Sequence, residues 1–185
     1  MRKLQYNSPV ILTFVILSAA ALLMGELTHG ETTRLLFSTY RSAWTDPLTY
    51  LRLFTHVLGH SGVTHFTGNM LMILVLGPMV EERYGSQHTF FLIAFTALAT
   101  GIVHYFVAPA AALLGASGIV FMLIFLASLA GMRKNTIPMT LILVAVVYFG
   151  QEIYSGLFTP DNISHLTHIV GGCCGTVLGI MFRNH

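Results

Sequence analysis

A run of 49 residues, from Tyr84 to Met132, contains no Asp, Glu, Lys or Arg. Two membrane-spanning helices use about 40 of these positions, at about 20 residues each. The connection between them, around VAPAAALLG, is therefore short and apolar. Such a segment lies at membrane depth only where protein or a water-filled cavity surrounds it. Ser117, in ALLGASGIVFML, is thus predicted to begin a helix inside the bilayer.

Composition extends this argument to the whole chain. Hydrophobic residues make up 55% and charged residues 9%, whereas an average soluble domain has about 25% charged residues. The 185 residues suffice for one domain, residues 1–185, with about six spans. We expect an all-α, polytopic membrane protein. Its predicted spans are 9–26, 63–82, 88–107, 115–132, 137–152 and 165–182, and its external loop is 27–62.

Lys and Arg residues determine the predicted orientation. With the N-terminus inside, six of them lie on the cytoplasmic side and three outside, in agreement with the excess of positive charge in cytoplasmic loops. Both termini are therefore predicted to be cytoplasmic. The first 25 residues are also similar to a signal peptide. Their apolar run is long and Ser8-Pro9 favours a helix start, so we interpret them as a retained first helix.

Ser117 itself has two explanations. Small residues let membrane helices approach one another closely, and Ser is common in such contacts. Alternatively Ser117, between Gly115-Ala116 and Gly118, is a nucleophile that works below the membrane surface. The serine alone does not decide between packing and catalysis.

The last span carries a histidine beside a row of glycines. His168, Gly171, Gly175 and Gly179 follow at steps of three, four and four, and therefore lie on one helix stripe. A glycine stripe lets another backbone come very close. If the Ser117 helix is that partner, His168 reaches the serine at about 2.6–3.2 Å. A packing seam that carries a hydrogen-bonded histidine explains the same pattern.

The second span begins with two further polar groups. In HFTGN, His65 and Asn69 are four residues apart and share a helix face, where they present donors to one point. Buried polar groups in membranes are costly and tend to be functional. A single membrane histidine is more often a helix-to-helix hydrogen bond, so the pair alone leaves both interpretations open.

The positions of the carboxylates indicate whether a catalytic serine and histidine would have an acidic third partner. We expect five of the seven Asp and Glu residues in or beside external loops, and two at the cytoplasmic end of the second span. None is expected at the depth of Ser117, so the sequence predicts a Ser-His dyad rather than a triad. The base would then be oriented by packing, for instance by Phe121, one turn after Ser117. The external set is Glu26, Glu31, Asp46, Glu152 and Asp161, and the cytoplasmic set is Glu81 and Glu82.

Three motifs, HFTGN, GASG and HIVGGCCGTVLG, occur in this order on three separate spans. GxSG alone is a weak signal, but together they resemble the rhomboid family of intramembrane serine proteases. The segment LRLFTHVLGHSGVTHFTGNMLMILVLGPMVEERYGS also resembles the first external loop, second helix and following turn of that family. The likeness extends over about residues 50–182.

The resemblance implies the minimal six-helix form and hydrolysis of a peptide bond in or just outside another protein's transmembrane segment. Ser117 corresponds to the nucleophile and His168 to the general base. His65 and Asn69, with the Ser117 backbone N–H, correspond to the oxyanion hole. The residues expected to support these groups by close packing are Gly115, Gly118, Phe121, Gly171 and Gly175.

The same resemblance sets the expected surroundings. The partners are transmembrane protein substrates and the lipid bilayer, in a bacterial inner membrane, without cofactor, metal or nucleic acid. Water must reach the site, so we expect a cavity that is open to the outside and lined by His60, His65 and Asn69. The short fifth segment, 138–150, corresponds to a lateral gate for substrate.

The sequence departs from the family pattern at three positions. Leu51 precedes Arg52 where the family often has Trp, which affects how the outer loop is anchored. Phe121 stands where the family often has Tyr, so stacking on His168 is expected without the hydroxyl. His165 is an additional histidine with no expected catalytic role.

Two alternatives remain open at this stage. A metal-binding protein or transporter could use His56 with His60, and His165 with His168, as pairs of zinc ligands. Against it, the chain has no HExxH motif and no predicted intramembrane carboxylate. The second alternative is an inactive rhomboid-like binding protein, which the presence of both dyad residues disfavours.

Overall fold

Seven α-helices make up the part of the chain that the computed structural model describes, which is residues 6–108, 110–129, 132–133, 136–158 and 162–182. No β-strand occurs among these residues, so the predicted all-α class is confirmed. The helices are α1 (Pro9–Leu27), α2 (Glu31–Leu36), α3 (Pro47–Thr55), α4 (Val63–Val107), α5 (Ser117–Ser128), α6 (Met139–Phe158) and α7 (Asn162–Met181), with a 3-10 turn at His56–Leu58 between α3 and α4.

Two of these helices, α1 and α4, are long and apolar enough to cross a membrane. The 45 residues of α4 include both the second and the third predicted span. Gly85 separates the two halves with φ 78° and ψ 159°. A positive φ is a conformation that glycine adopts without steric cost, so Gly85 accommodates the kink between the two halves.

The α5 helix is the centre of the bundle. It packs against α4, α6 and α7, and ten of its twelve residues are buried. A helix that is apolar on every face belongs in the core of a bundle. Its twelve residues span about 18 Å at 1.5 Å per residue, less than the roughly 30 Å of a bilayer core. The helix begins at Ser117 and is shorter than the predicted span 115–132.

Glu81 ties α1 to the break in α4. Its carboxylate accepts hydrogen bonds from the backbone N–H groups of Val10 and Ile11, each at 3.0 Å, and from the Ser86 hydroxyl at 2.7 Å. Free N–H groups and the helix dipole both favour an anion at a helix N-terminus. These contacts satisfy the carboxylate although Glu81 is only 4% exposed.

The segment 27–62, which the sequence predicts to be an external loop, is ordered around a buried arginine. Arg52 is 2% exposed, and its guanidinium lies 2.6 Å from the Asp46 carboxylate and 2.7 Å from the Tyr40 hydroxyl. The Tyr40 ring also faces the Arg52 cation at 4.6 Å. The loop is therefore anchored through Arg52, while Leu51, where the family often has Trp, is largely exposed.

Candidate active site

Backbone hydrogen bonds hold the turn that leads into Ser117. Thr39 and Leu113 exchange both of their backbone hydrogen bonds, at 2.9 and 2.8 Å. The N–H of Gly115 donates to the carbonyl of His56 at 3.0 Å. Gly115 has φ 126°, which residues with a side chain rarely adopt. The segment 27–62 thereby fixes the start of α5.

His65 and Asn69 lie against this turn. A Cβ atom at Gly115 would be only 2.7 Å from Cε1 and 2.8 Å from Nε2 of His65, and 3.9 Å from Nδ2 of Asn69. Gly115 is therefore required by this close approach as well as by its backbone conformation. The structure thus brings the HxxxN pair of α4 to the residues immediately before Ser117.

A cavity of about 460 Å³ connects this region to the external loop. Its walls include His60 and Ser61 together with Ala112 and Leu114 of the segment before Ser117. The Ser61 hydroxyl lies 3.1 Å from Nδ1 of His65. Of the three residues predicted to line a water-accessible cavity, only His60 lines this one. His65 contacts its wall through Ser61, and Asn69 is not among its lining residues.

The glycine stripe of α7 packs directly on the backbone of α5. A Cβ atom at Gly171 would lie 2.2 Å from the carbonyl oxygen of Gly118, and one at Gly175 would lie 2.4 Å from that of Met122. Gly118 and Gly171 are both buried. The predicted close approach of these two helices is confirmed.

His168 is positioned by this seam and by an aromatic ring. Its imidazole stacks on Phe121 with ring centroids 4.5 Å apart and an interplanar angle of 6°. Phe121 lies one turn after Ser117 on α5, so the two share a helix face. Tyr148 of α6 packs edge-on against Phe121 at 5.5 Å. The structure therefore brings His168 to the face of α5 that begins with Ser117.

The prediction that no carboxylate reaches this depth is wrong. Glu152 is buried, at 8% exposure, on the inner face of α6. Its Oε2 accepts a hydrogen bond from Nδ1 of His165 at 2.6 Å and lies 3.1 Å from Nδ1 of His168. The error arose because α6 continues to Phe158, so Glu152 lies within the helix rather than beside a loop.

These contacts also decide where a metal could bind. Ligand atoms of Glu152, His165 and His168 all lie within 4.8 Å of one another, the only such group of three among the residues that the structure describes. This cluster contains a carboxylate beside the two histidines, which the metal-binding alternative requires and which the sequence did not predict.

The other proposed zinc pair is not assembled in this way. The two ring nitrogens of His56 lie 3.2 Å from the Arg52 carbonyl and 3.3 Å from the Thr100 hydroxyl. Burial lowers the pKa of His56 to about 4. Burial, with the nearby His65, lowers the pKa of His60 to about 4 as well. His56 is therefore a neutral packing residue at pH 7.

The all-helical bundle contains two helices, α1 and α4, that are long and apolar enough to cross a membrane, as expected of a polytopic membrane protein. Comparison with known families then identifies it: the chain belongs to the rhomboid family, because the Rhomboid domain model matches residues 47–185.

Three relatives illustrate this membership. The chain is 30% identical over 155 residues to Rhomboid-related protein 2 of Mus musculus, an alignment that covers 72% of this chain and 51% of the relative. It is 30% identical over 140 residues to Rhomboid-related protein 1 of Caenorhabditis elegans, covering 69% and 38%. It is 28% identical over 167 residues to Rhomboid protease GluP of Bacillus subtilis (strain 168), covering 86% and 32%. The chain thus spans about half the length of these relatives, or less.

Proposed function

We propose that this chain is an intramembrane serine endopeptidase in which Ser117 is the nucleophile and His168 the general base. The observation that carries the proposal is the stack of His168 on Phe121, one turn after Ser117. His168 takes the proton of the Ser117 hydroxyl as the hydroxyl oxygen attacks the peptide carbonyl, and later returns it to the leaving amine. Membership of a family that includes Rhomboid protease GluP supports this reaction.

His65 and Asn69 are proposed to bind the oxyanion together with the Ser117 backbone N–H. Their contact with Gly115 supports this role, since Gly115 is two residues from the nucleophile. In this proposal the Ser61 hydroxyl donates to Nδ1 of His65, 3.1 Å away, and the neutral ring therefore carries its proton on Nε2. That N–H faces the turn before Ser117. Removal of one oxyanion donor in a serine protease costs about 2.7–4 kcal/mol of transition-state stabilisation.

The proposed substrates are transmembrane segments of other proteins, which enter the site from the bilayer. A cavity of about 400 Å³ lies between α4, α5 and α6, and its walls include Met72, Leu76, Ile124 and Tyr148. Its apolar walls suit a substrate side chain. Because α6 borders this cavity, we propose α6 as the lateral gate. A substrate helix must unwind to expose its bond, so helix-destabilising residues are expected near the cut.

The proposal includes the orientation of the chain in the membrane and its location in the cell. Residues 1–185 form one membrane domain with both termini in the cytoplasm, supported by the six cytoplasmic against three external Lys and Arg residues. A bacterial inner membrane is the proposed location.

Replacement of Ser117 by Ala tests the proposal. Ser117→Ala should abolish both cleavage of a model transmembrane substrate and labelling by a fluorophosphonate probe, while the protein still inserts and folds. Ser18→Ala is the matched control, because it removes a buried hydroxyl from α1, which contributes no residue to the proposed site. Near wild-type turnover of Ser117→Ala would remove Ser117 as the nucleophile. An unlabelled, inactive wild type would instead indicate an inactive relative.

A further inference from the structure

Glu152 is a buried carboxylate that a Ser-His dyad leaves unused. It lies on α6 and faces the imidazoles of His165 and His168 on α7. An ionised group inside a membrane bundle is costly unless partners compensate for the lost water, and such groups mark functional sites. On the basis of the proposed function, we infer that Glu152 is a positioning residue for His168, so that the protease works with a Ser-His-Glu triad.

The chemistry of a carboxylate determines the tautomer of the ring beside it. An ionised carboxylate only accepts hydrogen bonds. Nδ1 of His168 lies 3.1 Å from Oε2 of Glu152, which is an ion-pair contact rather than an aligned hydrogen bond. The negative charge of the carboxylate stabilises the form of the ring that carries hydrogen on Nδ1. The lone pair then lies on Nε2, at the opposite edge of the ring. This is the tautomer that a general base needs, and the buried Asp of Ser-His-Asp proteases stabilises the same one.

The same contact stabilises the charged intermediate state. As the bond between the serine oxygen and the substrate carbonyl carbon forms, the Ser117 O–H bond breaks and its proton moves to Nε2 of His168. His168 is then an imidazolium, with Nδ1 at ion-pair distance from Glu152. When the peptide C–N bond breaks, Nε2 gives the proton to the leaving amine. Glu152 accepts no proton in this sequence of steps, so its effect on them is electrostatic.

Neighbouring side chains hold the carboxylate and the ring in place. Phe121 fixes the plane of the His168 ring by stacking. Tyr148 lies one turn before Glu152 on α6 and packs on the same Phe121 ring. His165 donates a hydrogen bond to Glu152 at 2.6 Å, which gives this additional histidine a role in fixing the carboxylate. The α6 helix thus contributes the third member of the triad to a base on α7.

The test compares Glu152→Gln, Glu152→Asp and the control Glu82→Gln, which removes an exposed carboxylate. Purified full-length protein is assayed for kcat and KM with a transmembrane substrate, and for the rate of fluorophosphonate labelling. Glu152→Gln should lower kcat by about 10²–10⁴-fold with little change in KM, because the amide stabilises neither the correct tautomer nor the imidazolium. Glu152→Asp should recover part of the loss, and Glu82→Gln should match the wild type.

The other outcomes overturn the inference in distinguishable ways. Wild-type kcat for Glu152→Gln, with Ser117→Ala inactive, would leave the serine protease intact and remove Glu152 from it. Equal decreases in kcat for Glu152→Gln and Glu152→Asp, accompanied by a lower thermal unfolding temperature, would show that Glu152 is a packing residue. Wild-type activity that EDTA abolishes and zinc restores would assign Glu152, His165 and His168 to a metal site. Turnover by Ser117→Ala would refute the proposed function itself.

Discussion

A single methyl group added at Gly171 should displace the helix that carries the proposed nucleophile from the helix that carries the proposed base. The Gly171 α-carbon lies on the backbone of Gly118, the residue after the proposed nucleophile. A methyl group at Gly171 would lie 2.2 Å from the Gly118 carbonyl oxygen and 3.0 Å from its Cα, whereas ordinary contacts begin at 3.4 Å. Backbone atoms cannot rotate away, so α5 and α7 must separate by about 1 Å.

This displacement allows the effect of Gly171→Ala to be estimated. Overpacking of a close contact costs about 1–3 kcal/mol, of which the better helix propensity of Ala offsets up to about 1 kcal/mol. The larger effect is on catalysis. Because α5 carries Ser117 and α7 carries His168, their separation by about 1 Å should lower kcat about 100-fold.

Gly150→Ala is the matched control for this change. Gly150 is also a helical glycine, on α6, but no heavy atom lies within 4 Å of a Cβ atom built there. The same substitution should therefore keep wild-type turnover and raise stability by up to about 1 kcal/mol. The assay is kcat on a transmembrane substrate, with thermal unfolding in detergent measured on the same preparations. Wild-type kcat and stability for Gly171→Ala would refute the argument that this glycine contact sets the position of His168.

Two further predictions concern the polar groups of the site. Asn69→Ala should lower kcat more than it raises KM, because an oxyanion donor acts mainly in the transition state; an increase in KM alone would make Asn69 a substrate or structural contact. His168→Ala should eliminate both turnover and fluorophosphonate labelling, whereas His165→Ala should retain substantial activity, because Glu152 remains beside His168. The reverse pattern would overturn the assignment of the base, and loss of bound metal in both variants would favour the metal-binding alternative.

Much of the fold could be predicted because a membrane-embedded helix is specified by residues that are close together in the sequence, namely an apolar run and the charges that bound it. The long charge-free run indicated a buried serine helix, and α5 does begin at Ser117. The helices within the loop 27–62 were missed because they are short. Asp46-Pro47 was nevertheless a readable helix start, since the Asp46 side chain accepts a hydrogen bond from the N–H of Leu48. The ordering of this loop was not predictable, because it depends on contacts of Arg52 with Tyr40 and Asp46, which are 12 and 6 residues away in the sequence.

The candidate site shows the same division between local and distant information. Spacings within one helix indicated that His65 lies with Asn69, and that His168 lies with the glycine stripe. A close approach of another backbone to that stripe was also predictable, because glycine permits it, but the identity of that neighbour as α5 was only a condition of the prediction. Glu152 was not predictable in this way. Its contact with His168 depends on how α6 is rotated relative to α7. That rotation cannot be read from the residue spacing within either helix.

Different kinds of contact hold the two sides of the proposed site. The serine side is fixed by main-chain atoms: Leu113 pairs with Thr39, and Gly115 donates to the His56 carbonyl. The seam between α5 and α7 is likewise made by the backbone, at Gly118 and Gly171. By contrast, α6 reaches the site through side chains. Side-chain contacts can break and re-form while a backbone seam stays intact, so α6 can serve as a gate without separating Ser117 from His168. In the proposed triad, closure of that gate is also what returns the Glu152 carboxylate to the base.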